Sequence, residues 1–97
     1  MSHIISAQQA MKLVNEAGAQ LVDVRNPAEY ASGAAPGAIN IPVSHIPHLA
    51  TTHLDESKPV VVYCLSGGRS EQARMILQAM GFRDVYNAGG VKNFMSA

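Results

Sequence analysis

Two stretches of the chain are apolar at nearly every position, Gln20-Leu21-Val22-Asp23-Val24 and Pro59-Val60-Val61-Val62-Tyr63, and valine dominates both. A strand with one wet face alternates polar and apolar residues; an almost unbroken apolar run predicts a strand covered on both faces, as in a parallel sheet. Elsewhere the apolar positions change period. Ala10, Leu13, Val14 and Ala17 recur at helical spacing behind Ser6 and Gln9, a Ser-x-x-Gln capping box, and Gly18 supplies the stop. The same spacing returns from Ser70 to Met80, closed by Gly81 as a left-handed cap, and it makes Met11, Met75 and Met80 packing residues. Asn26-Pro27 opens a short helix through Ser32 that Gly33 ends. Short strands are predicted at Ile4-Ile5, Ala38 to Ile41 and Val85-Tyr86, with a tight turn at Ala88-Gly89-Gly90 and a helical turn from Val91 to Phe94. Between Val43 and Lys58 the signals conflict: Pro47 starts a helical turn through His48, Leu49 and Leu54, and Thr51-Thr52 weakens it. Strands alternating with helices define an α/β fold with a parallel sheet.

Ninety-seven residues without a linker, repeat or low-complexity tract predict one domain over 1–97, burying roughly 60–65% of its unfolded surface. Seven basic side chains balance seven acidic ones, so no broad field draws the protein to nucleic acid or to an acidic membrane surface. Tyr30, Tyr63 and Tyr86 are scattered, without the basic-aromatic interleaving of a nucleic-acid module. No apolar run approaches the ~20 residues of a membrane span, and Met1-Ser2-His3-Ile4-Ile5 lacks the segments of a secretory signal; a soluble, cytoplasmic protein is the expectation. His3, His45, His48 and His53 have no Cys or carboxylate at metal-ligand spacing.

Chemistry concentrates at the one cysteine. Cys64 opens the segment Cys64-Leu65-Ser66-Gly67-Gly68-Arg69-Ser70 between a predicted strand and a predicted helix, where ligands bind in open parallel sheets. Successive amides of a Gly-containing loop, with the positive end of a helix dipole, form a concavity that stabilises an anion, and here a thiol stands at its edge. Thiol acidity rises at helix N-termini and beside Arg, so Cys64 is expected as a thiolate without needing a histidine base. A buried structural cysteine is the competing reading, and the small polar residues that follow Cys64 argue against it. Arg69, with forked donors at the loop edge, is expected to bind an anion, and Gly67 and Gly68 to let amides approach a ligand.

Cys-x-x-Gly-x-Arg-Ser, matched by Cys64, Gly67, Arg69 and Ser70, resembles the active-site loop of the single-domain rhodaneses, the thiosulfate sulfurtransferases. Asp23-Val24-Arg25 with Glu29-Tyr30, Gly33 and Pro36-Gly37-Ala38-Ile39-Asn40-Ile41-Pro42 is similar to that family's upstream signature, and Asn87-Ala88-Gly89-Gly90 with Phe94 to its C-terminal one. Two positions depart: Ala34-Ala35 where the family usually has a His-Ile or similar pair, and Phe94 where tryptophan is common. The resemblance implies a rhodanese-like fold, a central parallel sheet flanked by helices on both faces, with Cys64 catalytic and Asp23, Arg25 and Glu29 as structural support. It implies a sulfane sulfur passing from thiosulfate or a similar donor through a Cys64 persulfide to cyanide, a small thiol or a thiol-bearing protein. Leu65, Ser66, Gly67, Gly68, Arg69 and Ser70 would bind substrate, and the chemistry needs no metal or organic cofactor. A persulfide carrier serving a protein partner and a lone-thiol redox sensor are the alternatives. Cysteine-dependent phosphatases space their Cys and Arg by five residues; four separate Cys64 from Arg69, a narrower cradle suited to a persulfide sulfur rather than a phosphoryl group.

Overall fold

The computed structural model describes residues 4–95, so His3 and the segment before it lie outside the described residues. Helix α1 (Ala7–Ala17) starts on the predicted capping box, Ser6 Oγ accepting from the Gln9 amide and the Gln9 side chain accepting from Ser6 N, and ends on Gly18 in the left-handed region. Strand β1 (Gln20–Asp23) leads to helix α2 (Pro27–Ala31), capped by Asn26, and then to the two-residue strand β2 (Ile39–Asn40), shorter than the predicted Ala38 to Ile41. A 3-10 turn (Val43–His45) runs into helix α3 (Ile46–His53), and β3 (Val60–Cys64), α4 (Gly68–Ala79), β4 (Val85–Gly90) and α5 (Lys92–Met95) complete the order.

The four strands are parallel in the order β2-β1-β3-β4, with Val22 opposite Ile39 and Val62, and Val62 in turn opposite Asn87. The strands read as apolar on both faces are covered on both. Val22, Val24, Val60, Val62 and Cys64 pack with Ile46, Ala50 and Leu54 around α3 and with Ala73 and Leu77 of α4. Leu21, Val61 and Tyr63 face the other way, onto Ala10 of α1, Phe94 of α5 and Val91 just before it. Alternate side chains of one strand thus feed two cores, and the sheet is held from both sides.

Several expectations are corrected. The segment with conflicting signals folds as α3 despite the Thr51-Thr52 pair, because Ile46 and Ala50 on its buried face outweigh the weak helix propensity of threonine. Ile4-Ile5 does not form a strand but a single parallel bridge between Ile4 and Asn87. Helix α4 begins at Gly68, two residues before Ser70, and its buried stripe is Ser70, Ala73 and Leu77; Met75 falls on the opposite side and is exposed. Ala88-Gly89-Gly90 is the end of β4 rather than a tight turn, drawn into the sheet by pairing of Gly90 with Cys64.

Candidate active site

Neighbours β1 and β3 are also the strands at which the winding reverses, since β2 lies beyond β1 and β4 beyond β3. At such a switch point the connections leave in opposite directions and open a crevice past the carboxyl ends of the strands. Asp23 ends β1 there and Cys64 ends β3.

The turn after Cys64 is set by Gly67, which caps α4 at φ 104, a backbone conformation that side-chain-bearing residues rarely adopt. This turn brings the Gly67 amide back onto the sulfur, N–H to Sγ at 3.0 Å, while Ser70 in the first turn of α4 places Oγ 3.4 Å from Sγ. Cys64 is 1% exposed. Burial pushes the thiol's pKa up, but the Ser70 hydroxyl and the Ser70, Gly67 and Ser66 amides push it down and prevail, leaving Cys64 more acidic than an ordinary cysteine.

Ser70 has one hydroxyl hydrogen and three acceptors in reach: Asn87 Oδ1 at 2.7 Å, Gly67 O at 3.0 Å and Cys64 Sγ at 3.4 Å. The Asn87 amide holds the cradle from β4: Oδ1 also accepts from Gly89 N at 2.9 Å, and Nδ2 donates to Gly67 O at 3.1 Å. Asn87 stood only as one letter of a signature in the sequence; the signal that could have singled it out is a carboxamide inside an otherwise apolar strand. On the other side of the loop, Val91 N donates to Cys64 O at 2.8 Å, and a Cβ at Gly90 would meet Leu65 O at 2.5 Å, so β4 approaches this closely only with glycine there. Leu65 and Ser66 turn their side chains outward and line, with Gly90, Lys92 and Asn93, a shallow depression of ≈ 440 Å³. Gly68 is the first residue of α4, with open space around it. Larger depressions along α1 are lined without Cys64 or any residue of its loop.

Arg69 reaches across to α2. Its Nη1 and Nη2 donate to Glu29 Oε1 at 2.7 Å and Oε2 at 3.0 Å, a bidentate pair that joins α4 to α2 across forty residues. Hydrogen bonding to Arg69 holds the Glu29 carboxyl down at about 2, and pairing with Glu29 raises the guanidinium's pKa. Arg69 sits in the first turn of α4 between Gly67 and Ser70, so the pair stands at the edge of the cradle.

Behind it lies a buried cluster. Arg25 Nε and Nη2 donate to the Asp23 carboxylate, Nη2 at 2.6 Å to Oδ2 and at 2.7 Å to Gly33 O, and Tyr63 Oη donates to the same Oδ2 at 2.7 Å. Tyr63 Oη in turn accepts from Ala35 N at 2.9 Å. Burial pushes the phenol's pKa well above its ordinary value, so Tyr63 serves as a neutral donor. This cluster ties the ends of β1 and β3 to the loop containing Ala34-Ala35. Phe94 packs on the Tyr63 ring with centroids 5.0 Å apart, filling core beneath the crevice. Among the described residues no group of three or more His, Cys, Asp or Glu is placed to hold a metal, and no helix is long and apolar enough to cross a membrane.

A four-stranded parallel sheet, a switch-point crevice and a cysteine in an amide cradle define a class, and the family match agrees: the rhodanese-like domain covers residues 6–97, so the chain belongs to that family. Among its relatives, the thiosulfate sulfurtransferase PspE of Escherichia coli (strain K12) is 44% identical over 73 residues, 74% of this chain and 70% of that protein. The thiosulfate sulfurtransferase GlpE of Ectopseudomonas mendocina (strain ymp) is 37% identical over 86 residues, 89% and 77% of the two chains. The human single-domain sulfurtransferase TSTD1 superposes with a TM-score of 0.79 at 27% identity, covering 99% of this chain and 97% of that one.

Proposed function

We propose that the protein is a thiosulfate-type sulfurtransferase in which Cys64 carries the sulfur. The observation that carries this reading is the acidified, buried Cys64 Sγ, receiving the Gly67 amide at 3.0 Å with the Ser70 hydroxyl at 3.4 Å. The thiolate attacks the outer sulfur of thiosulfate; an S–S bond forms to Cys64 as the donor's own S–S bond breaks, and sulfite leaves with the bonding pair. The product is a persulfide anion with its charge on the outer sulfur, stabilised by the same amide dipoles of Ser66, Gly67 and Ser70 at the N-terminus of α4. Cyanide or a thiolate then takes that sulfur and returns Cys64 as the thiolate, so the cycle is ping-pong and needs no external oxidant. Asp23, Arg25 and Tyr63 hold the frame, and Arg69 governs the donor's negative charge at the rim. Sulfur transfer by PspE, GlpE and TSTD1, as their names state it, supports the reading.

Intact-mass measurement after thiosulfate treatment should show one added sulfur, and tryptic mapping should place it on Cys64, with thiocyanate appearing when cyanide follows. Turnover surviving in Cys64→Ser, or an unloaded Cys64 in an active protein, would overturn the assignment.

A further inference from the structure

We propose that Glu29 is a specificity-determining residue: its carboxylate competes with the anionic end of a sulfur donor for the Arg69 guanidinium, so the site disfavours dianionic donors relative to persulfides of lower charge. The donor class rests on the sulfurtransferase reading; the competition for Arg69 does not.

Both forked nitrogens of Arg69 are committed to Glu29. A sulfonate that takes this same Nη1–Nη2 edge bidentately must displace the carboxylate from both. Glu29 is also not free to move aside. Its Oε1 accepts from Asn26 N at 3.2 Å while its own amide donates to Asn26 Oδ1 at 2.9 Å, the capping box of α2, so the carboxylate is pinned where Arg69 meets it. The other guanidinium of the crevice, Arg25, is buried and consumed by Asp23 and Gly33 O. Both guanidiniums are thus already paired with carboxylates, and a dianion gains less from them than from a free arginine, a loss that a neutral persulfide does not share. Acid does not open the latch in a working range, because the Glu29 carboxyl is held at about 2. In the sequence Glu29 reads as local support for its own helix; its partner is visible only once α2 and α4 are side by side.

Glu29→Gln isolates the charge, since glutamine serves the capping box as glutamate does. The readout is the sulfate concentration that half-protects Cys64 from iodoacetamide, each protein being referred to its own sulfate-free rate. Glu29→Gln should need about three- to fivefold less sulfate, the range expected for a partly exposed ion pair, and its preference for thiosulfate over an alkyl persulfide, as a ratio of kcat/KM, should rise by a similar factor. Glu29→Asp, which keeps the charge but withdraws it from Arg69, should fall between the two. In an Arg69→Ala background the gain from Glu29→Gln should shrink to less than half. An unchanged or higher sulfate requirement in Glu29→Gln overturns the proposal, because Glu29 would then be orienting Arg69 for the donor. Reduced sulfate requirement in a protein that takes no sulfur from thiosulfate upholds the competition and removes the sulfurtransferase reading instead.

Discussion

Replacing Asn87 with alanine tests whether β4 holds the cradle in place. Asn87 is fully buried, and its four partners would fare differently. Gly67 O keeps the Glu71 amide at 3.0 Å and the Ser70 hydroxyl at 3.0 Å, and Ser70 keeps Gly67 O as an acceptor. Glu71 faces its Arg74 partner as well as Asn87 Nδ2 at 3.3 Å, so it also remains satisfied. The Gly89 amide, by contrast, loses the side-chain oxygen that accepts from it at 2.9 Å in a buried position. An orphaned buried donor costs about 1–3 kcal/mol, and the cavity left by the missing carboxamide adds ~1 kcal/mol. The sum, about 2–4 kcal/mol, is a large fraction of the roughly 5–15 kcal/mol available to a domain of this kind. Equilibrium urea unfolding should show it as a fall in midpoint of roughly 1–2 M at an unchanged m-value. Asn87→Asp should cost at least as much, since it keeps Oδ1 as the acceptor for the Ser70 hydroxyl and the Gly89 amide but loses the donor to Gly67 O and sets a charge beside Glu71. A loss below ~1 kcal/mol in Asn87→Ala, or a stable Asn87→Asp, would refute the clamp.

Two further substitutions probe the sulfur and the approach of β4. Ser70→Ala removes a hydroxyl that lowers the Cys64 pKa, so the pH midpoint of iodoacetamide alkylation should rise toward that of an ordinary thiol. The sign of the accompanying stability follows: a depressed folded pKa contributes stability that is fully present above the unfolded thiol's value of about 8.5 and lost as pH falls through the folded one. The melting-temperature advantage of the native protein over Cys64→Ala should therefore grow as pH rises toward about 8.5 and then flatten, and Ser70→Ala should narrow that window; a pH-independent difference would contradict it. Gly90→Ala places a methyl 2.5 Å from Leu65 O, a backbone atom that cannot swing aside, and should cost about 1–3 kcal/mol in chemical unfolding, whereas Gly68→Ala, with nothing within 4 Å of the added methyl, should be tolerated. Equal stability of the two variants would mean that β4 does not approach Leu65 as closely as the Cys64–Gly90 pairing requires.

How far the chain discloses its fold depends on how local each signal is. The capping box at Ser6 and Gln9, the Asn26-Pro27 start and the strand content of Val60 to Tyr63 act within a few residues, and each element stands where that chemistry puts it. Glycines misled the reading at Ala88-Gly89-Gly90, because a residue without a side chain signals a turn locally yet here permits a close approach that pairing with Cys64 makes necessary. Met75 misled it because helical spacing defines a stripe without saying which stripe is buried; Ala73 and Leu77 turned out to face the core. Cys64 and its loop were legible as a candidate site from the strand, the glycines and the helix alone. Three partners of the site were not: Glu29 for Arg69, Asn87 for Ser70 and Asp23 for Tyr63 lie 40, 17 and 40 residues apart, and only the sheet order brings them together.

The start of α4 explains why the arginine of the loop and its amides do different work. Because the helix begins at Gly68, Arg69 is already in its first turn and projects toward α2, where Glu29 meets it, while the Gly67 amide and the Ser70 hydroxyl point inward at the sulfur. The interior of the cradle is therefore lined by neutral dipoles, which stabilise a charge resident on sulfur without adding a counter-ion that would have to be stripped of water. The guanidinium of Arg69 stands at the rim, paired with Glu29. In the proposed reaction the thiolate and the persulfide use the interior, and the departing sulfite crosses the rim. The four residues between Cys64 and Arg69 limit what fits inside the cradle, whereas the choice among donors falls to the ion pair outside it.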